Sequence, residues 1–292
     1  MVVKKRYFLF ILIVLMPFLY AKKGADQRRS FVIVTASYNN EEWASKYLES
    51  VFFQDYKNFR VIYYDDGSTD KTLKIVTEFV RRHHVNGKIS IIHNANRVGP
   101  HENYYKMIHS CKDSEIIVIV DGDDWLAHDK VLSRLATVYN NPSVWLTYGQ
   151  FETYPSGKRG FARQIPQKVI EQNNIRSYPW VTTHLRTFYA WLYKLIRQED
   201  LIFDGKFIRR CGDVAIMLPM VEMAGFHSKF ISDILLIYNR ANENNYGKPL
   251  GDAFASIDER NAIQNELRIN RPKYQPLKLD QATVEKLCGF TK

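Results

Sequence analysis

The sequence predicts an α/β fold: a mainly parallel central sheet flanked by helices. Three observations lead there. From residue 31 to 148, short apolar runs alternate with amphipathic stretches of helical length, the pattern of strand–helix–strand units with right-handed crossovers. The first run, Phe31–Thr35, is apolar and rich in β-branched residues along its length rather than apolar at every second position, as a strand covered on both faces must be. The segments that follow them are polar, and open α/β sheets bind ligands outside the carboxyl ends of their strands. With 292 residues, 46% of them hydrophobic, the chain can bury the core of such a fold.

Taken in order, Phe31–Thr35 (FVIVT) is the first strand, and residues 41–53 form a helix with Trp43, Tyr47, Leu48, Val51 and Phe52 on one side. Phe59–Tyr64 is the second strand, and Ser68, Thr69 and Asp70 offer caps for a helix reaching Arg82. Ile89–His93 is the third strand; Pro100 opens the next helix, which runs to Cys111. Ile116–Val120 (IIVIV) is the fourth and most apolar strand, a helix spans Asp129–Tyr139, and Val144–Tyr148 is the fifth strand. Beyond Phe151 the pattern loosens. Residues 154–180 carry three prolines and two glycines and read as a long loop, and an aromatic-rich helical stretch runs from Thr182 to Arg197. Asp213–Ala224 is a further helix stopped by Gly225, Phe230–Tyr238 is a last strand, and the polar tail from Gly251 is expected to wrap the surface.

The net charge of +10 is concentrated at one end. Residues 1–30 hold seven Lys or Arg against Asp26, leaving +4 for the other 262 residues. The basic excess flanks the uncharged segment Tyr7–Ala21, which suits a membrane surface and not a nucleic acid, for which a basic stripe on the domain is expected. Fifteen residues is short of the about 20 a spanning helix needs. The segment fits a signal peptide cut near Ala21, while Lys22 and Lys23 equally fit a retained anchor. The expectation is therefore a membrane-associated or exported protein. Cys111, Cys211 and Cys288 form no CxxC pair and read as free thiols, and the one Asn-x-Ser triplet is blocked by Pro142.

Four loops on one sheet edge carry the chemistry. They are Ser37–Asn40, Asp65–Asp70, Asn96–Gly99 and Asp121–Asp124. One polar loop is ordinary; four converging loops exceed what solubility requires. The last is the sharpest, because three carboxylates within four residues repel one another unless a cation neutralises them. Oxygen ligands suit Mg²⁺ or Mn²⁺, held by Asp121 and Asp123. A helix cap or turn would need only one aspartate. No histidine spacing of the HExxH kind occurs.

The stretch Phe31–Phe151, about two-fifths of the chain, resembles the donor half of family 2 glycosyltransferases. The matching residues are VTASYNN at 34–40, YLESVFFQDYKNFRVIYYDDGSTD at 47–70, NRVG at 96–99, the helix containing Asn103, and DGDDWL at 121–126. The resemblance implies a GT-A fold, Rossmann-like, and a nucleoside-diphosphate sugar donor, most often UDP-linked, transferred with inversion. It assigns residues 25–150 to nucleotide-sugar binding, 151–250 to the acceptor and 251–292 to a C-terminal tail, after a signal or anchor at 1–24. It implies that the loop from Thr35 to Tyr38, with Asp65 or Asp66, holds base and ribose. Arg97 would face the nucleotide or its diphosphate, Asp121 ribose or metal, and Asp123 metal and phosphates.

In that family a late Glu-Asp pair opens a helix and supplies the general base. Here Asp213 fits the aspartate position, and Gly212 replaces the acidic partner. A simple N-cap is the plainer role for Asp213, and Glu222 is the other carboxylate of the helix. The segment Trp180–Phe188 resembles an acceptor-side segment, in which His184 would meet the acceptor or the leaving phosphate. The acceptor itself, whether glycan, lipid or protein, is unreadable from these residues. A dehalogenase-type phosphatase is disfavoured because its Asp-x-Asp follows the first strand, and a dinucleotide dehydrogenase because SYNN lacks the glycines of its first turn. A catalytically inactive nucleotide-sugar-binding homologue is the alternative from another class.

Overall fold

The structure, a computed structural model, describes residues 28–242 and 257–290. The apolar segment Tyr7–Ala21 and the expected signal or anchor at 1–24 lie outside the described residues. Among the described residues no helix is long and apolar enough to cross a membrane.

The first part of the chain runs β1 (Phe31–Ser37), α1 (Ala44–Phe52), β2 (Phe59–Asp65), α2 (Thr72–Arg82), β3 (Ile89–His93), α3 (Pro100–His109), β4 (Ile116–Ile119), β5 (Trp125–Leu126), α4 (Val131–Tyr139) and β6 (Leu146–Tyr154). The second runs β7 (Lys158–Arg159), α5 (Gln167–Glu171), β8 (Arg186–Tyr189), α6 (Ala190–Lys194), β9 (Ile202–Phe203), β10 (Lys206–Phe207), α7 (Gly212–Ala224), β11 (Ser228–Asn239), α8 (Ile257–Asn265) and α9 (Gln281–Leu287).

The main sheet has the order β3-β2-β1-β4-β8-β6-β11-β5, with β7 added to β6. Its first four strands are parallel, and β1 is buried between β2 and β4, which explains its unbroken apolar run. The four residues of β4 are all buried, each worth about 1.5–3 kcal/mol of transfer free energy. Beyond β4 the sheet becomes mixed, although β6 and β11 are parallel to each other and run in the direction of β4. β8 lies antiparallel between β4 and β6, and β5 pairs antiparallel with β11. The sheet is mixed because residues 186–189 form a strand where the aromatic composition had suggested a helix. All four are buried, and the Thr187 hydroxyl shares hydrogen bonds with Thr147 (2.6 Å) and Tyr139 (2.8 Å). Thr, Phe and Tyr are strand-favouring residues, so the strand follows local preference and the helical expectation did not; only α6 keeps the helical reading.

The loop at 154–180 is also more ordered than its prolines suggest, since it contains β7 and α5. The tail does more than wrap the surface. Ile263, Leu267, Val284 and Cys288 enter the core, Leu277 N–H donates to the Met223 carbonyl (2.9 Å) and Arg29 donates to the Cys288 carbonyl (3.1 Å). The helix α7 is apolar around its whole circumference and buried along its length, as a central helix should be. Its N-terminus opens at the same sheet edge as the loops after β1, β2 and β4.

Candidate active site

Those loops enclose a cavity of about 440 Å³. The register that pairs Ser37 with Asp65 delivers the loops after β1 and β2 side by side. Tyr38, Asp66 and Arg97 line the cavity, and the Arg97 guanidinium lies 4.0 Å over the Tyr38 ring. Asp66 organises its surroundings: its carboxylate accepts from Asn94 Nδ2 (2.9 Å), Val98 N–H (3.0 Å) and Gly99 N–H (2.9 Å). Burial alone would raise its pKa, yet hydrogen bonds, the Asn103 side chain first among them, hold it below the usual carboxylate value. Thus Asp66 pins the loop that carries Arg97.

Two of the expected donor-site residues sit behind this surface. Thr35 does not line the cavity; its side chain faces the core, where Oγ1 meets the Tyr47 hydroxyl at 2.5 Å. Asp65 is fully buried, with Oδ2 2.6 Å from His93 Nδ1, while Oδ1 is buried without a hydrogen-bond partner.

The turn after β4 brings its carboxylates against β1. A Cβ on Gly122 would come within 2.5 Å of Ser37 Oγ, so only glycine permits this approach. Asp121, Asp124 and His184 offer ligand atoms within 4.8 Å of one another. This group contains Asp121 of the expected pair and adds Asp124 and His184. Asp123 also lines the cavity, but its Oδ2 accepts from Asn242 Nδ2 (2.8 Å). Burial, then the Asp121 charge, pushes the Asp123 carboxyl up to about 6. Burial and the same neighbours raise Asp124 well above the carboxylate range, and its Oδ2 is buried without a partner. An orphaned carboxylate oxygen among mutually repelling carboxylates fits a cation. His184 fits too: burial, then Arg186, holds its pKa far below the ordinary value, and a neutral imidazole is the ligating form. The ring stacks on Tyr238, with centroids 5.1 Å apart.

Opposite the turn stands Asp213 in the first turn of α7. Arg186 lies between the two sides, only 5% exposed, with Nη2 3.8 Å from Asp121 and Nη1 3.9 Å from Asp213. Tyr104 on α3 donates a short hydrogen bond to Asp121. The departure at Gly212 has a steric reason. A Cβ there would fall 1.7 Å from Nε2 of His101, so the imidazole occupies the space a side chain would need. Burial, then Arg186, pushes the His101 pKa down to about 3, and the ring is neutral. Glu222 is nowhere near this chemistry. It is fully buried, paired with Arg176 at 2.6 and 2.8 Å, and accepts from Tyr274 N–H (3.0 Å).

Of the expected residues, the structure therefore brings together Tyr38, Asp66, Arg97, Asp121, Asp123 and Asp213. Sequence reasoning missed Arg186, Tyr104, His101 and Asn242. Arg186 lies two residues from His184 in the segment already singled out, and that was the available signal. His101 meets Gly212 only through folding, so nothing local announces it.

An α/β sheet with an acidic turn after its fourth strand and a carboxylate facing it is the arrangement implied by the resemblance to glycosyltransferases of the GT-A class. The comparisons agree. Residues 32–199 match the glycosyl transferase family 2 model, and the chain belongs to that family. Among curated relatives, glycosyltransferase GlyG of Streptococcus pneumoniae is 25% identical over 219 residues, covering 71% of this chain and 70% of GlyG. Glycosyltransferase GlyA of the same organism is also 25% identical over 189 residues, covering 59% of this chain; the chain spans a quarter (25%) of GlyA's length. Among solved structures, Staphylococcus aureus TarS 1–349 in complex with UDP-GlcNAc superposes with a TM-score of 0.56 at 16% identity, covering 89% of this chain and 70% of that one. The mannosyltransferase PcManGT of Pyrobaculum calidifontis, in complex with GDP-Man and Mn²⁺, gives 0.52 at 17% identity, covering 75% and 59%. At these identities the two structures speak for the fold.

Proposed function

We propose that the protein transfers a sugar from a nucleoside-diphosphate donor to an acceptor hydroxyl, with a divalent cation and with inversion. The carrying observation is that an acidic turn fit for a cation and the Asp213 carboxylate face one cavity across Arg186. Residues 25–150 supply the donor side and residues 151–250 the acceptor side. Tyr38 and Arg97 form a stacked platform for the nucleotide, and Asp66 fixes the loop that presents it. Asp121, Asp124 and His184 would hold Mn²⁺ or Mg²⁺, which when bound offsets the charge of the leaving diphosphate. Arg186 supplies a buried positive charge beside the same group. Asp213 accepts the proton of the acceptor hydroxyl as it attacks the anomeric carbon.

UDP-sugars are the first donors to test, with GDP-mannose second, given what TarS and PcManGT bind. The basic, apolar N-terminal segment associates the protein with a membrane or directs its export. The direct test is donor turnover. With Mn²⁺, the protein is expected to release nucleoside diphosphate from at least one nucleotide sugar. An inactive binding homologue would bind the donor and leave it intact, and that result would reject the enzymatic reading.

A further inference from the structure

The cavity lining holds five arginines, Arg97, Arg186, Arg209, Arg210 and Arg260, against four aspartates, Asp66, Asp121, Asp123 and Asp213. The aspartates are largely committed. Asp66 is taken up by three N–H groups, Asp123 by Asn242, and Asp121 and Asp213 share Arg186. Arg97 lies on Tyr38, and Arg210 has a contact of its own. Among the described residues, Arg209 and Arg260 form no ion pair with a carboxylate; the stem of Arg209 lies over Gly99, and Arg260 lies against Cys211.

Arg209 bridges the Gly99 loop and the approach to α7, and with Arg210 and Arg260 it lines the cavity that holds Asp213. Arg209 and Arg210 immediately precede α7, three or four residues before Asp213. Arg260 comes from α8, which is tied to the same loop by Gln264 Nε2 at 3.7 Å from Cys211 Sγ. Residues 260 and 264 are one turn apart and share a face. No carboxylate can stand at position 212 to neutralise them, because the neutral His101 ring fills that space. A second observation points to an anion in the same cavity: Arg186 is buried, and its Nε has no hydrogen-bond partner.

The geometry points to an anion subsite beside Asp213, formed by Arg209, Arg260 and the adjoining Arg210, that receives a phosphate group carried by the acceptor. The inference rests on Asp213 being the base. Arginine forks match phosphate oxygens two at a time, and a phosphate held there would fix the attacking hydroxyl against Asp213. The phosphate can belong to a soluble acceptor or to a lipid headgroup.

The test uses the full chain saturated with Mn²⁺ and the nucleoside diphosphate of its donor, so that the diphosphate site is filled. Calorimetry then follows glycerol 3-phosphate and glycerol, and separately the soluble short-chain lipid dihexanoylphosphatidylglycerol. Glycerol 3-phosphate or the lipid is expected to bind while glycerol does not. Binding should weaken at least tenfold in Arg209→Ala/Arg260→Ala and recover in part in Arg209→Lys/Arg260→Lys. Tighter binding of the lipid places the phosphate on a headgroup, and tighter binding of glycerol 3-phosphate places it on a soluble acceptor. Equal binding by the wild type and the alanine variant overturns the subsite, as does the absence of any phosphate binding. An equal loss of nucleoside-diphosphate affinity in the alanine variant assigns the arginines to the donor and also overturns it. Failure of every nucleotide sugar to bind removes the functional reading itself, whereas normal donor binding without phosphate binding removes the subsite alone.

Discussion

Asp213 and Asp121 share one buried arginine but are expected to fail differently. Asp213→Asn should lower kcat by about a hundredfold or more, the scale of a lost general base, with donor affinity nearly unchanged. Asp121→Asn should weaken Mn²⁺-dependent donor binding directly. Steady-state kinetics together with donor calorimetry separate the two. Asp123→Asn tests the metal set: a loss as large as that of Asp121→Asn would return Asp123 to the ligands in place of Asp124. The acidic turn was legible because three carboxylates within four residues are a sharp departure from an ordinary loop. Asp124 and His184 were not separable from their neighbours, since which carboxylate turns inward depends on how Gly122 seats against Ser37. The Gly212–His101 contact makes a further prediction. Gly212→Ala should cost about 1–3 kcal/mol through overpacking, seen as a lower Tm, and adding His101→Ala should restore much of it. No restoration would mean that the glycine is needed for another reason.

The helix α7 carries two carboxylates with opposite fates. Asp213 sits in its first turn at the cavity, whereas Glu222 is buried two and a half turns further on against Arg176. Removing one member of a buried pair strands the other charge, which costs about 3–5 kcal/mol. Glu222→Gln should therefore lose stability on that scale in urea unfolding while the remaining folded protein keeps its turnover. A loss of turnover without a loss of stability would instead make Glu222 the base. The apolar run after Asp213 and the stop at Gly225 located α7 to within a residue of its start. The same reasoning failed at β8. The run Thr187–Phe188–Tyr189 favours a strand by composition, but it was read as part of a longer aromatic stretch, and its place between β4 and β6 shows the strand. Arg186 was lost with it, because a helix would have aimed that side chain elsewhere.

At the scale of the molecule, the parallel strands β1–β4 were readable because β1 opens on an unbroken apolar run, β4 is apolar throughout, and β1, β2 and β3 are each followed by a helix of ordinary length. The antiparallel strands β5, β7 and β8 were not: β5 and β8 pair with distant segments and leave no local period, and β7 has only two residues. The tail helices were missed for a related reason: their few buried residues are spaced among polar ones and gain their stability by docking on α7 and on Arg29. The first strand begins at Phe31, so deletion of residues 1–24 is expected to give a folded, active and more soluble protein. Circular dichroism and donor turnover check this, and an unfolded product would show that the segment belongs to the core.

The most direct measurement is thermal unfolding of the full chain against a panel of nucleotide sugars, with and without Mn²⁺, each followed by assay for released nucleoside diphosphate. At least one donor should raise Tm only when Mn²⁺ is present, and that same donor should be turned over by the wild type and not by Asp213→Asn. Stabilisation that ignores Mn²⁺, or a panel in which no nucleotide sugar shifts Tm or is turned over, would contradict metal-assisted glycosyl transfer at this site.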